Sequence, residues 1–328
     1  MKKVVRLFDL GNLDVERQML KDFDVQCRQC TNEDMIIEAA ADADAVMYVL
    51  EPLTRRVIES MPNLKLIACK SMGWNFIDME ACRERGISVT HLTDTFVQDV
   101  ADHVAACILA HNKRLMPFDH DVRVNKNWIS THFPDIHRLK NETVGLVGFG
   151  RIAKVVAQDL SGFGVRIIAF DPYVTQEAAA PYGVTMVDLD TIFRESDYVS
   201  MHMPLVKETE NIVSKAQFDQ IPGHICFINS ARGGVVNEQD MIDAIDSGKI
   251  SYAYLDVLND EFPDLYHHPL ANRENVFLTP HSAFYSQEAM HDGRVQCCED
   301  VLHFFAGEYD KCHFVPGGNN TDQAVRRN

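Results

Sequence analysis

The 328-residue sequence has no long apolar run, few basic residues relative to acidic ones, and no cysteine pattern typical of a disulfide framework. A membrane-spanning helix needs roughly 20 consecutive apolar residues, and no segment approaches that length. Near the amino terminus Arg6 and Asp9 interrupt the apolar stretch, which argues against a secretory signal and favours a β-strand. We therefore expect a cytoplasmic protein that does not enter a membrane.

The charge balance restricts the partners of the chain. There are 31 Lys and Arg against 48 Asp and Glu, a formal net charge of −17. Such a surface repels nucleic-acid phosphates and anionic lipids, so neither is expected as a partner. A small anionic substrate is compatible with this charge, because a buried pocket can be locally positive.

The nine cysteines are scattered and odd in number. Cys27 and Cys30 have the spacing of metal ligands, but no second pair and no nearby histidine completes a four-ligand site. We therefore expect reduced, structural thiols and no metal site.

The length suggests two domains at roughly 150 residues each, and two series of the same secondary-structure pattern are present. Short β-branched segments alternate with single helices, which is typical of βαβ units and parallel sheets. The first series predicts strands at 3–8, 24–28, 45–50, 64–70 and 87–91. The second series predicts strands at 143–147, 166–170, 198–203, 225–229, 252–257 and 276–279.

Four segments lie outside these series. Residues 95–115 predict a long connecting helix, and residues 113–140, polar and rich in histidine and aromatics, predict an irregular surface arm. Residues 287–305 predict a last helix. The polar tail from Pro316 predicts disorder.

A glycine-rich turn follows the first strand of the second series. Gly148, Gly150 and Ala153 form the pattern GxGxxA between a strand and a helix. Gly148 permits the tight turn, Gly150 lets the backbone approach a pyrophosphate, and Ala153 lets the helix pack closely on the strand. The free N–H groups and the dipole of the helix N-terminus attract the anion. This context predicts a dinucleotide site.

Asp171 supports the same prediction. It follows the next strand, 23 residues after Gly148, close to the roughly 20-residue offset of a ribose-binding carboxylate. A carboxylate there accepts hydrogen bonds from both ribose hydroxyls and repels a 2′-phosphate, so NAD is expected rather than NADP. An ordinary Asp-Pro turn would explain the acid but not its distance from the glycine pattern.

Together with this turn, motifs along nearly the whole chain resemble the D-2-hydroxyacid dehydrogenase family. They are residues 71–78 (SMGWNFID), 100–103 (VADH), 145–152 (GLVGFGRI), 202–209 (HMPLVKET), 228–234 (INSARGG), 255–261 (LDVLNDE) and 278–281 (LTPH). Residues 281–288 (HSAFYSQE) are most similar to the branch related to the C-terminal-binding-protein corepressors. The resemblance therefore does not depend on a single motif.

The resemblance implies an α/β fold with two doubly wound parallel-sheet domains. A Rossmann NAD domain at 101–283 would be inserted into a flavodoxin-like substrate domain formed by 1–100 plus 284–328, with the active site in the cleft between them. The implied activity is an NAD-dependent dehydrogenase that transfers hydride reversibly between the nicotinamide and C2 of a small 2-hydroxy or 2-oxo acid. The family usually forms homodimers through its cofactor domains.

The resemblance also implies that Arg232, Glu261 and His281 form the catalytic set. Arg232 has a permanently charged guanidinium fork, which suits a substrate carboxylate and a carbonyl oxygen that gains negative charge. It follows a strand, and ligands bind at the carboxyl ends of strands in such folds. His281 carries an imidazole, the side chain best suited to exchange protons in both directions near neutral pH. Glu261 would orient that imidazole.

Two neighbouring acids, Asp260 and Asp264, are alternatives to Glu261. Glu261 is preferred because it follows Asp256 by five residues, as in the family's pattern. The sequence departs from that pattern at Phe262, because the family usually places proline directly after the glutamate.

Further residues are implied to contact the ligands. For the cofactor they are Gly148, Gly150, Arg151, Ile152, Asp171, Met203, Pro204, Thr209, Ser230, Ala231, Arg232, Asp256, His281 and Ala283. Asp256 would lie near the nicotinamide amide. For the substrate they are Ser71, Met72, Gly73, Trp74, Arg232 and Phe284. Backbone N–H groups of residues 71–73 would face the substrate carboxylate, and the two aromatic side chains would form pocket walls.

A second hypothesis is an NADH-sensing scaffold with little turnover, prompted by the corepressor-like residues 281–288. The corepressors keep the catalytic set too, so its presence does not exclude this hypothesis. The chain is barely longer than a catalytic core, which favours the enzyme. The identity of the 2-hydroxy acid stays open.

Overall fold

Two parallel β-sheets organise residues 1–8 and 11–321, the part of the chain that the computed structural model describes. The chain divides into two compact units, one formed by Met1–Phe96 with the segment from Ser286 onward and the other by Val97–Tyr285. The predicted α/β class with two parallel-sheet units is confirmed.

The first unit begins with a five-stranded sheet. Its strands are β1 (Lys3–Arg6), β2 (Asp24–Cys27), β3 (Ala45–Tyr48), β4 (Leu66–Cys69) and β5 (Ser88–Thr90). Its helices in this part are α1 (Asp14–Met19), α2 (Glu33–Ala40), α3 (Arg55–Glu59) and α4 (Met79–Arg85). The strand order β2-β1-β3-β4-β5 is that of flavodoxin-like folds. All residues of β3 and β4 are buried, because helices cover both faces of such a sheet and its strands are continuously apolar.

The second unit contains a seven-stranded sheet. Its strands are β6 (Thr143–Val147), β7 (Arg166–Phe170), β8 (Thr185–Met186), β9 (Tyr198–Met201), β10 (Ile225–Asn229), β11 (Ile250–Leu255) and β12 (Val276–Leu278). Its helices are α5 (Val97–Asn112), α6 (Leu115–Arg123), α7 (Arg151–Ser161), α8 (Gln176–Ala179), α9 (Leu189–Glu195), α10 (Lys215–Phe218) and α11 (Glu238–Asp246). The order β8-β7-β6-β9-β10-β11-β12 is the Rossmann order with one added strand.

In this unit one local prediction was wrong and one element was missed. The segment 113–140 is not irregular throughout, since α6 covers Leu115–Arg123. Asp121 on this helix accepts hydrogen bonds from Asn125, Asn127 and His132, which shape the rest of the segment. The two-residue edge strand β8 was not predicted, because two residues are too short to show an alternating pattern.

The last helix, α12 (Gln287–Ala306), returns to the first unit. Its Arg294 donates to both carboxylate oxygens of Glu16 in α1, at 2.9 and 2.6 Å. Arg6 of β1 donates to the same carboxylate at 2.9 Å, and the Arg6 and Glu16 side chains are fully buried. This buried ion triad joins the two ends of the chain.

The tail beyond Pro316 was predicted to be disordered, and for residues 316–321 this was wrong. The segment pairs with the edge strand β5: Val89 donates its N–H to the Gly318 carbonyl at 2.8 Å, and the Asn320 amide donates to the Ile87 carbonyl at 2.7 Å. Backbone groups of an edge strand need partners, and the polar tail supplies them. Residues 322–328 lie outside the described residues.

We expect Glu16→Gln to lower the free energy of unfolding by about 3 kcal/mol at neutral pH, because two guanidinium groups lose their counter-charge. Burial opposes ionisation of Glu16, but hydrogen bonds from Arg294 and Arg6 outweigh it, so the pKa of this carboxyl lies below its usual value of 4.5. Its stabilising contribution is therefore present at neutral pH and is lost as the pH falls below the usual value and through the folded one.

Urea unfolding at about pH 7 and about pH 3 tests this linkage. The gap between Glu16→Gln and the unmodified protein should shrink at the lower pH. Glu38→Gln removes the carboxylate of an exposed pair with Arg28 and serves as the control with little effect. A Glu16→Gln gap of the same size at both pH values would contradict the linkage.

Candidate active site

The glycine-rich turn lies between β6 and α7. Gly148 has a φ of +97°, and a Cβ atom there would come within 2.9 Å of the backbone carbonyl of His202. Glycine is therefore required both for the backbone conformation and for the close packing of the turn on the segment after β9. A Cβ at Gly150, the N-cap of α7, would meet no atom within 4 Å, so open space borders this side of the turn. Ala153, in the first turn of α7, is fully buried.

Asp171 directly follows β7 and is tied to the glycine turn. Its Oδ2 accepts a hydrogen bond from the Phe149 N–H at 2.9 Å, and its Oδ1 accepts one from the Tyr173 N–H at 2.9 Å. The hydrogen bond from Phe149 holds the acid in register with the turn. The sequence offset alone could not show this bond. Arg151 is exposed on the first turn of α7, and Ile152 is half-buried beside it.

Two enclosed polar atoms after β9 and β10 have no hydrogen-bond partner among the described residues: Nε2 of His202 and Oγ of Ser230. Unpaired buried polar atoms are costly, and these two lie at the carboxyl edge of the sheet, where the glycine turn also lies. Burial lowers the pKa of His202 to about 4, so its imidazole is neutral at physiological pH. The glycine turn, the helix N-terminus and these atoms fit a dinucleotide.

The other predicted residues after β9 have mixed surroundings. Met203 is buried and Pro204 is exposed. The Thr209 hydroxyl donates to the Pro204 carbonyl at 2.6 Å and accepts from the Val206 N–H at 2.9 Å. Thr209 therefore closes the turn after β9, and its contact with a cofactor stays a prediction.

Arg232 follows β10 in a turn that Asn229 brackets. The Asn229 side chain accepts from the Ala231 N–H at 3.0 Å and donates to the Arg232 carbonyl at 2.9 Å. A Cβ at Gly233 would overlap the Leu258 carbonyl, since the backbone after β11 crosses directly over this glycine. The turn that carries Arg232 is thus packed against the loop that follows β11. Sequence reasoning did not assign these roles to Asn229 and Gly233.

His281 and Glu261 form a hydrogen-bonded pair, with Nδ1 and Oε2 separated by 2.7 Å. The alternative acids bind elsewhere: Asp260 accepts an N–H two residues further on, and Asp264 pairs with an exposed histidine. The additional Phe262 is exposed, so it extends outward and leaves Glu261 at the histidine.

Glu261 also experiences the charge of Arg232. Burial opposes ionisation of Glu261, but the hydrogen bond and charge of His281 and the charge of Arg232 outweigh it, so the pKa of the Glu261 carboxyl lies below its usual value. Three side chains that are distant in sequence therefore share one electrostatic environment. Because Nδ1 of His281 faces the carboxylate, Nε2 is the ring atom that can exchange a proton with a ligand.

Asp256 supports the turn that carries His281. It is buried, and its oxygens accept hydrogen bonds from the Thr279 hydroxyl and from the N–H groups of Ser282 and Ala283. His281 itself has a φ of +49°, a left-handed conformation that is uncommon for a residue with a side chain. The carboxylate thus holds a strained turn, and a contact of Asp256 with the nicotinamide stays a prediction.

The predicted substrate residues are divided between the two units. Ser71, Met72, Gly73 and Trp74 follow β4 of the first unit and are half-buried. Phe284 belongs to the second unit, and its ring meets the His281 ring edge-on at a centroid distance of 6.2 Å.

All nine cysteines are free thiols. Within residues 1–8 and 11–321, no group of three or more His, Cys, Asp or Glu side chains is placed to hold a metal ion. None of the described helices combines the length and the apolar character of a membrane span.

Residues 105–283 match the family model described as D-isomer specific 2-hydroxyacid dehydrogenase, NAD binding domain. The D-3-phosphoglycerate dehydrogenase of Archaeoglobus fulgidus is 32% identical over 277 residues, which cover 84% of this chain and 52% of that protein. The glyoxylate reductase of Korarchaeum cryptofilum is 32% identical over 277 residues, which cover 84% of this chain and 83% of that protein. The chain thus spans about half the length of the phosphoglycerate dehydrogenase that it matches.

A solved structure is similar over almost the whole chain. It is the D-lactate dehydrogenase of Aquifex aeolicus in complex with NAD and lactic acid, with a TM-score of 0.88 and 28% identity. The similarity covers 96% of this chain and 99% of that one.

Proposed function

The chain belongs to the D-isomer specific 2-hydroxyacid dehydrogenase family and uses NAD, and from this premise we propose that it interconverts a small 2-oxo acid and its D-2-hydroxy acid. The observation that carries the proposal is the His281–Glu261 pair, which shares its electrostatic environment with Arg232 at the carboxyl ends of the second unit's strands. These groups match the three requirements of the reaction: a cation, a proton donor and a group that orients it.

Each side chain is proposed to perform one task. When bound, NADH supplies the hydride that C2 of the oxo acid accepts. The carbonyl oxygen gains negative charge in that reaction, and the Arg232 guanidinium would stabilise it while gripping the adjacent carboxylate. Nε2 of His281 would protonate the oxygen. Glu261 would keep the proton on Nδ1 and stabilise the imidazolium, which makes it a positioning residue.

The cofactor is proposed to bind along the carboxyl edge of the second unit's sheet. The pyrophosphate would lie at Gly148, Gly150 and the first residues of α7, where N–H groups and the helix dipole favour an anion. The Asp171 carboxylate keeps lone pairs beyond its two backbone bonds and would accept the ribose hydroxyls. It would also disfavour the 2′-phosphate of NADPH.

The substrate carboxylate is proposed to receive backbone N–H groups of Ser71, Met72 and Gly73, with Trp74 and Phe284 as apolar walls. The measurement that tests the function is loss of NADH absorbance with 2-oxo acids from glyoxylate and pyruvate to branched and aromatic members, with NADPH in parallel. Turnover with NADH and a clear size preference would support the proposal. NADH binding without turnover on any member would favour an NADH-sensing scaffold instead.

We also propose that the protein is a cytoplasmic homodimer. The segment after α6 exposes Trp128 and Ile129 together with Val124, an apolar surface suited to a second copy of the chain. Sedimentation equilibrium at micromolar concentration should give twice the chain mass, and Trp128→Glu should shift the mass toward that of one chain. A single-chain mass for the unmodified protein would contradict the dimer.

A further inference from the structure

The loop after β4 has three consecutive carbonyl groups with donors from the protein itself. The Ser71 carbonyl accepts from the Leu92 N–H at 3.0 Å, and the Met72 carbonyl lies 3.1 Å from Nδ1 of His91. The Gly73 carbonyl accepts from the Ser71 hydroxyl at 2.7 Å. The orientation of each of these three carbonyls is therefore fixed by its own hydrogen bond.

Held carbonyls also orient the following N–H groups. In a trans peptide the N–H of the next residue points opposite to the carbonyl, so the three contacts direct the N–H groups of Met72, Gly73 and Trp74 away from their donors. The N–H groups of Met72 and Gly73 have no acceptor in the part of the chain that the structure describes. Successive N–H groups that point to one side form an anion-binding surface.

The imidazole of His91 is the only side chain from outside the loop in this set of three contacts. A carbonyl oxygen only accepts hydrogen bonds, so the contact requires the proton of His91 on Nδ1. The Trp74 ring meets the imidazole edge-on at a centroid distance of 5.1 Å, which restricts the imidazole from a second side. His91 thereby acts on the peptide between Met72 and Gly73.

The carboxyl-terminal segment in turn holds His91. The His91 N–H donates to the His313 carbonyl at 2.9 Å, and the His91 carbonyl accepts from the Gln296 amide of α12 at 3.0 Å. The other end of the Gln296 amide accepts from the Thr95 hydroxyl at 3.1 Å. Asp300, one turn further along α12, accepts from both the N–H and the ring of His313. The last helix therefore positions the residue that orients the substrate loop.

We propose that His91 is a positioning residue for substrate binding: its Nδ1–H holds the Met72 carbonyl so that the Gly73 N–H faces the substrate carboxylate. The proposal rests on the proposed function, because it assumes that this loop binds a 2-oxo acid. His91 itself touches neither substrate nor cofactor in this role. Its removal therefore affects substrate affinity, while hydride transfer and NADH binding depend on other residues.

Steady-state kinetics of three variants test the proposal with the 2-oxo acid that the unmodified enzyme prefers. His91→Leu should raise KM about tenfold, the loss expected for a misdirected hydrogen bond to a charged group, with kcat and the Kd of NADH nearly unchanged. His91→Asn should restore KM, because its amide nitrogen occupies the place of Nδ1. His91→Gln is the matched control that should not, because its amide lies one bond further out.

Two kinetic outcomes would overturn the proposal. One is a KM for His91→Leu equal to that of the unmodified enzyme. The other is a similar change in all three variants, with a lower kcat, a higher KM and weaker NADH binding. That result would mean that the imidazole contributes only to packing in the fold.

Fluorescence gives a readout that does not depend on turnover. The chain has two tryptophans, so Trp128→Phe leaves Trp74 as the only reporter, in direct contact with His91. In this background His91→Leu should change the Trp74 emission and weaken its response to oxamate in the presence of NADH, and His91→Asn should restore both. If the enzyme reduces no 2-oxo acid, the proposed function fails. An unchanged Trp74 emission in His91→Leu separately refutes the positioning by His91.

Discussion

Arg232→Ala is expected to lower kcat/KM for the 2-oxo acid by about 10³-fold, while the Kd of NADH changes little. The guanidinium would bind the substrate carboxylate and the oxygen that gains charge, and loss of one such donor in a preorganised site costs about 10²- to 10³-fold. Asn229 brackets its turn with two hydrogen bonds, and the guanidinium adds one more, from Nη1 to the Ala231 carbonyl at 2.6 Å. The variant keeps both Asn229 bonds, so the fold should persist. Steady-state kinetics and titration of NADH fluorescence measure the two quantities.

Two further variants sharpen this test. Arg232→Lys keeps the positive charge but loses the planar fork, and should recover only part of the activity. Arg166→Ala removes an exposed arginine whose partner is Glu195 on the surface, and should leave kcat/KM unchanged. An Arg232→Ala enzyme that retains most of its kcat/KM would refute the assignment.

His281→Asn is expected to lower kcat about 10³-fold, within the range for loss of a general acid–base group. Asparagine tolerates the left-handed backbone of this position (φ +49°) better than most residues, so the turn should stay folded. Glu261→Ala should have a smaller effect, about 10²-fold, because it acts through the imidazole. The double variant should be no slower than His281→Asn alone, since one side chain acts only through the other.

The chain offers a matched control for this pair. His267 and Asp264 have the same kind of contact, at 2.6 Å, but both are exposed, and His267→Ala should leave kcat unchanged. Additive losses in the Glu261→Ala and His281→Asn double variant would mean that the glutamate has a role separate from the histidine. An unchanged kcat for His281→Asn would remove the histidine from the reaction.

The parts of the site that follow from local pattern were predictable. The turn at Gly148 and Gly150 is specified by residues within one strand–turn–helix, and the backbone contacts of Gly148 show why no larger residue fits there. The alternation of strands and helices likewise predicted both sheets. The exceptions are short or polar: β8 has two residues, and α6 lies in a segment whose polarity suggested no helix.

The sequence favoured Glu261 among the nearby acids only through its spacing from Asp256 in the family's pattern. Asp260, Glu261 and Asp264 lie within five residues, and composition does not separate them. The structure separates them because only Glu261 meets His281, 20 residues later in the chain. Asp256 was assigned to the nicotinamide, and its three contacts with the turn at residues 279–283 could not be read from spacing, because a left-handed backbone at a histidine leaves no mark in the sequence.

The sequence by itself determined the class of protein: two parallel-sheet units, a dinucleotide turn and the residue types for hydride-transfer chemistry. These features depend on residues that are close together in the chain, and their periodicity and turn-forming residues can be recognised in the amino-acid sequence. Only the tertiary structure decided how α12 joins α1 through Arg294 and Glu16, 278 residues apart, and how His91 reaches the carbonyl of Met72. Such contacts depend on where distant segments pack and which donors find acceptors there, and no local pattern encodes that.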